Sequence, residues 1–198
     1  MPDQQYAEIL YPTPRQVEAF HNVIILQRGV SGWVSKGMVE GCIEWAKTDI
    51  YNFVPFPSLL ERGAAMMYAY VTFHPFSDGN KRTALMVTSF FFFLNGFMFT
   101  IKDDTPDFML DVAKRCLDSD RHSPTTEIAR IAGWLRERTS APMPVKLLYR
   151  LLRLTTPSGV SSEVVLRNSG WETYFEAWLE PTTKRIGTLW KRKNHHTS

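Results

Sequence analysis

His74-Pro75-Phe76-Ser77-Asp78-Gly79-Asn80-Lys81-Arg82 runs straight into Thr83-Ala84-Leu85-Met86-Val87-Thr88-Ser89-Phe90-Phe91-Phe92-Phe93-Leu94 and stops at Asn95-Gly96. The second half is apolar on every helical face, so it reads as a helix buried all round. It is roughly half the ~20 residues that a bilayer requires, and Lys81 and Arg82 bound it on one side. Asn95-Gly96 gives a helix C-terminal stop. The first half is a polar loop that must sit at the mouth of a core.

Working outward, the surrounding chain is helical by the same reasoning. Pro75 disfavours helical geometry at His74 and ends the preceding helix there. That helix opens at Ser58-Leu59-Leu60-Glu61, a capping box, and continues through Leu60, Ala64, Met67, Tyr68 and Val71. Earlier, Thr13-Pro14 opens a helix whose apolar face is Val17, Phe20 and Ile24. Gly29 to Gly37 reads as a loop, followed by a short helix marked by Met38, Cys42, Ile43 and Ala46. Residues 48–57, with aromatics, Pro55 and Pro57, suit an extended segment or small hairpin. Downstream, Thr105-Pro106 starts a helix with Phe108, Val112 and Cys116 on one side. Ser123-Pro124 to Arg138 gives another, with Ile128, Ile131, Ala132 and Leu135 inward. The expected class is all-α with a small β-hairpin, and Ser140 to Pro144 reads as a linker to a C-terminal extension.

Composition sets limits. A chain of 198 residues, 44% hydrophobic and 22% charged, is globular rather than disordered or collagen-like. Cys42 and Cys116 stand far apart and fit a reducing cytoplasm, and no Cys/His set has zinc spacing. Met1 to Gln5 carries no basic-then-apolar secretory pattern. The net charge of +3 is unevenly spread. Up to residue 140 there are 14 Lys/Arg against 16 Asp/Glu, or −2; from 141 there are 9 against 4, or +5. The two parts suit different partners.

The loop's residue types suit phosphate chemistry. A helix N-terminus presents unpaired N–H groups and partial positive charge. Gly79 permits close backbone approach, and Lys81 and Arg82 add cations at an end where the dipole disfavours them unless an anion binds. Asp78 supplies a hard oxygen of the kind Mg²⁺ accepts beside phosphate oxygens. His74 can take a proton from a hydroxyl near neutrality. Taken singly, each has an ordinary reading: Asp-Gly-Asn is a common turn, a His before Pro is usually structural, and Lys-Arg can be solvated surface. Nine consecutive residues of this kind point instead to a transferase acting on a nucleotide.

The string His74 to Arg82 closely resembles the signature of the Fic/Doc (Fido) family, and Thr83-Ala84-Leu85 and Phe93-Leu94-Asn95-Gly96 resemble its death-on-curing (Doc) branch. Weaker similarity reaches back through Gly37-Met38-Val39-Glu40 and His21, and forward to about residue 138. The resemblance implies a compact helical domain over 1–140 that moves part of ATP, with Mg²⁺, onto a protein hydroxyl. By position, His74 would be the general base and Asp78 the Mg²⁺ ligand. Phe76, Gly79, Asn80, Lys81 and Arg82 would make the nucleotide site. The aromatic, proline-containing stretch from Asp49 to Phe56 takes the place of the family's β-hairpin flap.

Lys81 is the informative departure. The AMP-transferring Fic branch usually has Gly there, whereas Doc members carry a residue like this one and transfer the terminal phosphoryl group. The resemblance therefore implies a kinase-like toxin, with elongation factor Tu as the family's expected target and an antitoxin protein as partner. No Glu fits the family's inhibitory helix motif. AMP transfer to a protein hydroxyl and a non-catalytic nucleotide- or nucleic-acid-binding regulator are the alternatives.

Residues 141–198 fall outside the resemblance. Leu147, Leu148, Leu151, Leu152 and Leu154 with Lys146, Arg150 and Arg153 read as an amphipathic helix. Trp171, Tyr174, Phe175, Trp178 and Leu179 make a second apolar face, and Lys184-Arg185 and Lys191-Arg192-Lys193 flank Trp190. A small basic helical extension packed on the main domain is one reading; nucleic acid or an acidic partner is another. Membrane association is disfavoured because the charges do not gather on one helix face.

Overall fold

The structure is a computed structural model. It describes residues 9–27, 29–49, 54–118, 121–140 and the helix 171–195, in which the side chains of 179–192 are described. The elements run α1 (Pro14–Gln27), α2 (Lys36–Lys47), α3 (Leu59–Phe73), α4 (Asn80–Leu94), β1 (Met98–Phe99), α5 (Thr105–Leu117), α6 (Pro124–Arg136), β2 (Thr139–Ser140) and α7 (Trp171–His195). The all-α expectation holds.

Helix α4 is the hub. From Thr83 to Leu94 every residue is buried, while Lys81 and Arg82 are not. Phe90, Phe91 and Phe92 are wholly buried, each stabilising the fold by roughly 1.5–3 kcal/mol. Phe20 from α1 meets Phe90 edge-on at 5.0 Å, and Tyr11 lies 5.2 Å from Phe91. Helices α3, α5 and α7 also pack against α4. Against α3 the approach is close enough to require Gly63, where a Cβ would stand 2.8 Å from Phe92 Cζ. The six residues between α3 and α4 make the pair antiparallel, with the 74–79 loop as its closed end.

The caps follow the sequence. Ser58 accepts from Glu61 N at 3.2 Å and donates its own N–H to Glu61 Oε2 at 2.9 Å, completing the box. Ser123 caps α6 through Thr126 N. Asn95 closes α4 and accepts from Leu10 N at 3.0 Å while donating to Leu10 O at 2.8 Å, tying the N-terminal segment down.

Several expectations need correction. Gly37 lies inside α2, not in a loop, and Met38 is 40% exposed while Val39 faces the core. The hydrophobic face there begins one residue later, because starting the helix at Lys36 sets Val39, Cys42, Ile43 and Ala46 in phase. On α5, Met109 and Val112 are buried while Phe108 and Cys116 are only partly so. The described sheet is a separate one that follows the motif. It pairs β1 with β2 antiparallel, Met98 opposite Ser140 and Phe99 opposite Thr139. Residues 50–53 of the anticipated flap lie outside the described residues, as do the linker at 141–144, the helix expected at 146–154, and the side chains of Trp171, Tyr174, Phe175 and Trp178.

Candidate active site

The 74–82 loop is built from both ends. At the α3 end His74 adopts a left-handed conformation, φ 48 and ψ 59, which turns the chain sharply before Pro75. The His74 side chain is exposed, and its Nδ1 lies 3.0 Å from Thr72 O. A carbonyl only accepts, so Nδ1 carries a proton, and in the neutral ring Nε2 keeps the lone pair.

At the other end Gly79 caps α4 in a left-handed conformation, φ 77, where a Cβ would meet Ile25 Cδ1 at 3.0 Å. No side chain caps α4 and no acid sits in its first turn. The free N–H groups and two cations, Lys81 and Arg82, therefore face the same end.

Between these ends the loop is clamped. Phe76 is 1% exposed and pairs with Trp33 in an isolated antiparallel bridge. Val34 N donates to Pro75 O at 2.9 Å, and Ser77 N to Gly32 O at 3.1 Å. Asn80 turns its amide back onto Phe76, accepting from Phe76 N at 3.0 Å and donating to Phe76 O at 2.7 Å. The Asn80 side chain thus shapes the loop, and what it leaves for a ligand is backbone.

His21 on α1 stacks on Phe76 with ring centroids 3.7 Å apart and planes 7° from parallel. Its Nδ1 meets Thr83 Oγ1 at 3.2 Å, and its buried Nε2 has no hydrogen-bond partner. Burial first, and Arg82 second, push this imidazole down to about 4, against the opposing pull of Asp78. His21 is thus neutral near pH 7.

A cavity of about 260 Å³ opens at the α4 end of the loop. Asp78, Gly79, Asn80, Lys81 and Arg82 all line it, joined by Gln27 of α1, Leu110 of α5, and Gly187, Trp190 and Lys191 of α7. The structure therefore brings together every residue expected at the anion and metal end. His74 and Phe76 stand outside the lining, with Phe76 serving as the loop's buried anchor. Asp78 Oδ2 lies 3.6 Å from Arg82 Nη2 and accepts from Val30 N at 3.3 Å.

Mg²⁺ is commonly held by one or two carboxylates plus substrate phosphates. Among the described residues Asp78 is the one carboxylate on the cavity, its side chain 45% exposed. Among the described residues no cluster of three or more His, Cys, Asp or Glu could hold a metal by itself. The donor set fits an ion that arrives with phosphates, not a fully protein-ligated one.

Sequence reasoning did not assign Gln27, Leu110 or the α7 residues to this site. Gln27 and Leu110 give no local signal. Lys191 and Trp190 did, as part of a basic and aromatic run, but nothing local tied that run to the loop.

Residues 11–92 match the Fic/DOC family. Over 100 residues the chain is 29% identical to Toxin Doc of Mycolicibacterium smegmatis (strain ATCC 700084 / mc(2)155), across 49% of this chain and 75% of that protein. The matched family segment contains α1 to α3, the loop and nearly all of α4. Motif, helical fold and both comparisons make this part of the chain similar to the Fic/Doc family and to a Doc toxin.

Proposed function

We propose that the protein is a Doc-like toxin that transfers the terminal phosphoryl group of ATP, with Mg²⁺, to a hydroxyl side chain of a target protein. The observation that carries this is the cavity at the α4 N-terminus, where Asp78 through Arg82 face one space and, among the described residues, Lys81 and Arg82 outnumber the carboxylate of Asp78. Elongation factor Tu is the target class implied by the family, and an antitoxin protein the natural partner.

In this reading His74 Nε2 takes the proton as the target oxygen bonds to the terminal phosphorus. The bond to the bridging oxygen breaks, and the departing diphosphate's charge is met by Lys81, Arg82 and the N–H groups opening α4. Mg²⁺, held by Asp78 and phosphate oxygens, would neutralise developing charge. The His74–Thr72 hydrogen bond fixes the tautomer that leaves Nε2 as acceptor. Lys81 occupies room beside the inner phosphates and favours the orientation that presents the terminal phosphate to His74.

ATP labelled at the terminal or at the innermost phosphate, incubated with candidate targets, tests the reading. Label from the terminal position alone is expected, with intact mass showing an added phosphate. Label from the innermost position, with an added AMP, would establish AMP transfer instead. No covalent label under any condition would leave a binding regulator.

A further inference from the structure

Helix α7 lies beyond the matched family segment, yet it forms one wall of the cavity. It is firmly seated. Ile186 is 1% exposed, Leu189 3% and Thr183 5%. Gln27 Nε2 donates to Thr183 O at 3.4 Å, and Arg185 pairs with Asp103 at 2.5 Å. Gly187 lies directly against the tip of the Gln27 side chain, which brings α7 up to α1 here. One turn further on, at helical spacing, Trp190 and Lys191 reach the cavity.

The charge balance there is uneven. Lys81 and Arg82 of α4 and the exposed Lys191 of α7 share the space with one carboxylate among the described residues, Asp78. Lysine and arginine side chains gathered at one opening favour the entry of an anion. Leu110 and Trp190 add an apolar boundary to the same space.

We propose that Lys191 is a nucleotide-binding residue, gripping the polyphosphate of ATP from α7 as Lys81 and Arg82 do from α4, so that α7 completes the site. This rests on the nucleotide reading given above. It assigns the C-terminal basic run a task inside the site and not on an outer nucleic-acid surface.

Calorimetric titration of the full chain with Mg²⁺-free ATP tests it, using Lys191→Ala, Lys191→Arg, Lys184→Ala and Arg82→Ala. Lys184 is an exposed cation on the same helix but does not line the cavity. Loss of a charge-assisted contact should weaken binding about tenfold in Lys191→Ala. Lys191→Arg should restore most of it, and Lys184→Ala should bind like the unsubstituted chain. The inference is overturned if Lys191→Ala binds ATP as tightly as, or more tightly than, the unsubstituted chain while Arg82→Ala loses affinity. Tighter binding would mean that α7 obstructs the cavity. Absence of ATP binding by the unsubstituted chain would overturn the nucleotide reading itself, and this inference with it.

Discussion

His74 holds a left-handed backbone at φ 48, a conformation that costs most side chains roughly 1 kcal/mol and asparagine less. Two substitutions therefore separate chemistry from strain. His74→Asn should abolish label transfer while shifting the thermal midpoint by no more than about 2 °C; His74→Ala should lose transfer equally and be somewhat less stable. His21 behaves in the opposite way. Its imidazole is held neutral down to about 4, against about 6.5 in an unfolded chain. Between those values the unfolded chain binds more protons, so stability is full above about pH 6.5 and falls as pH drops. Unfolding in urea at pH 7 and pH 5 should differ by about 2 kcal/mol from this group. His21→Phe should flatten that difference, and a slope unchanged by the substitution would assign it elsewhere.

At the scale of elements, α5 and α6 are joined by a buried carboxylate. Glu127 is fully buried and pairs with Arg115 at 2.7 Å and Arg130 at 2.9 Å. Burial alone would raise its pKa, but hydrogen bonds from both arginines hold it below the usual carboxylate range. Glu127→Ala should cost about 2–3 kcal/mol in chemical denaturation, near the low end for a broken buried pair because both arginines can reach water. Glu127→Gln should cost less, since an amide oxygen still accepts. The elements themselves were legible where local chemistry decides. The Ser58 box, Pro75 after His74 and Asn95-Gly96 set boundaries through contacts a few residues long. Phase at the start of α2 was not, because Met38 and Val39 are equally apolar and only packing against α3 chooses between them. Nor was β1 with β2, whose two-residue strands carry no periodicity and are separated in the chain by α5 and α6.

At the scale of the molecule, the loop's half of the site was readable as a continuous string, while its other half arrives from α1, α5 and α7. No local pattern reveals that Gln27 and Lys191 face one space, since their meeting depends on how α7 docks. Docking through Ile186 and Leu189 predicts a separable layer. Ile186→Ala should raise hydrogen exchange along 171–195 while α3 and α4 keep their protection. Equal loss of protection in both would make α7 part of the same cooperative unit. No helix among the described residues is long and apolar enough to cross a membrane, and α4 serves as a core helix instead.

Gly63 and Phe92 touch near the open end of the α3–α4 pair, about 15 Å along the helix from the closed end that carries the loop. The two helices act as the arms of a pair of tweezers, with that contact as the spacer between them. The separation of His74 from the first turn of α4 is therefore inherited from a position at the far end of the pair. A side chain larger than hydrogen at Gly63 would push the arms apart at one end and so reset the loop at the other.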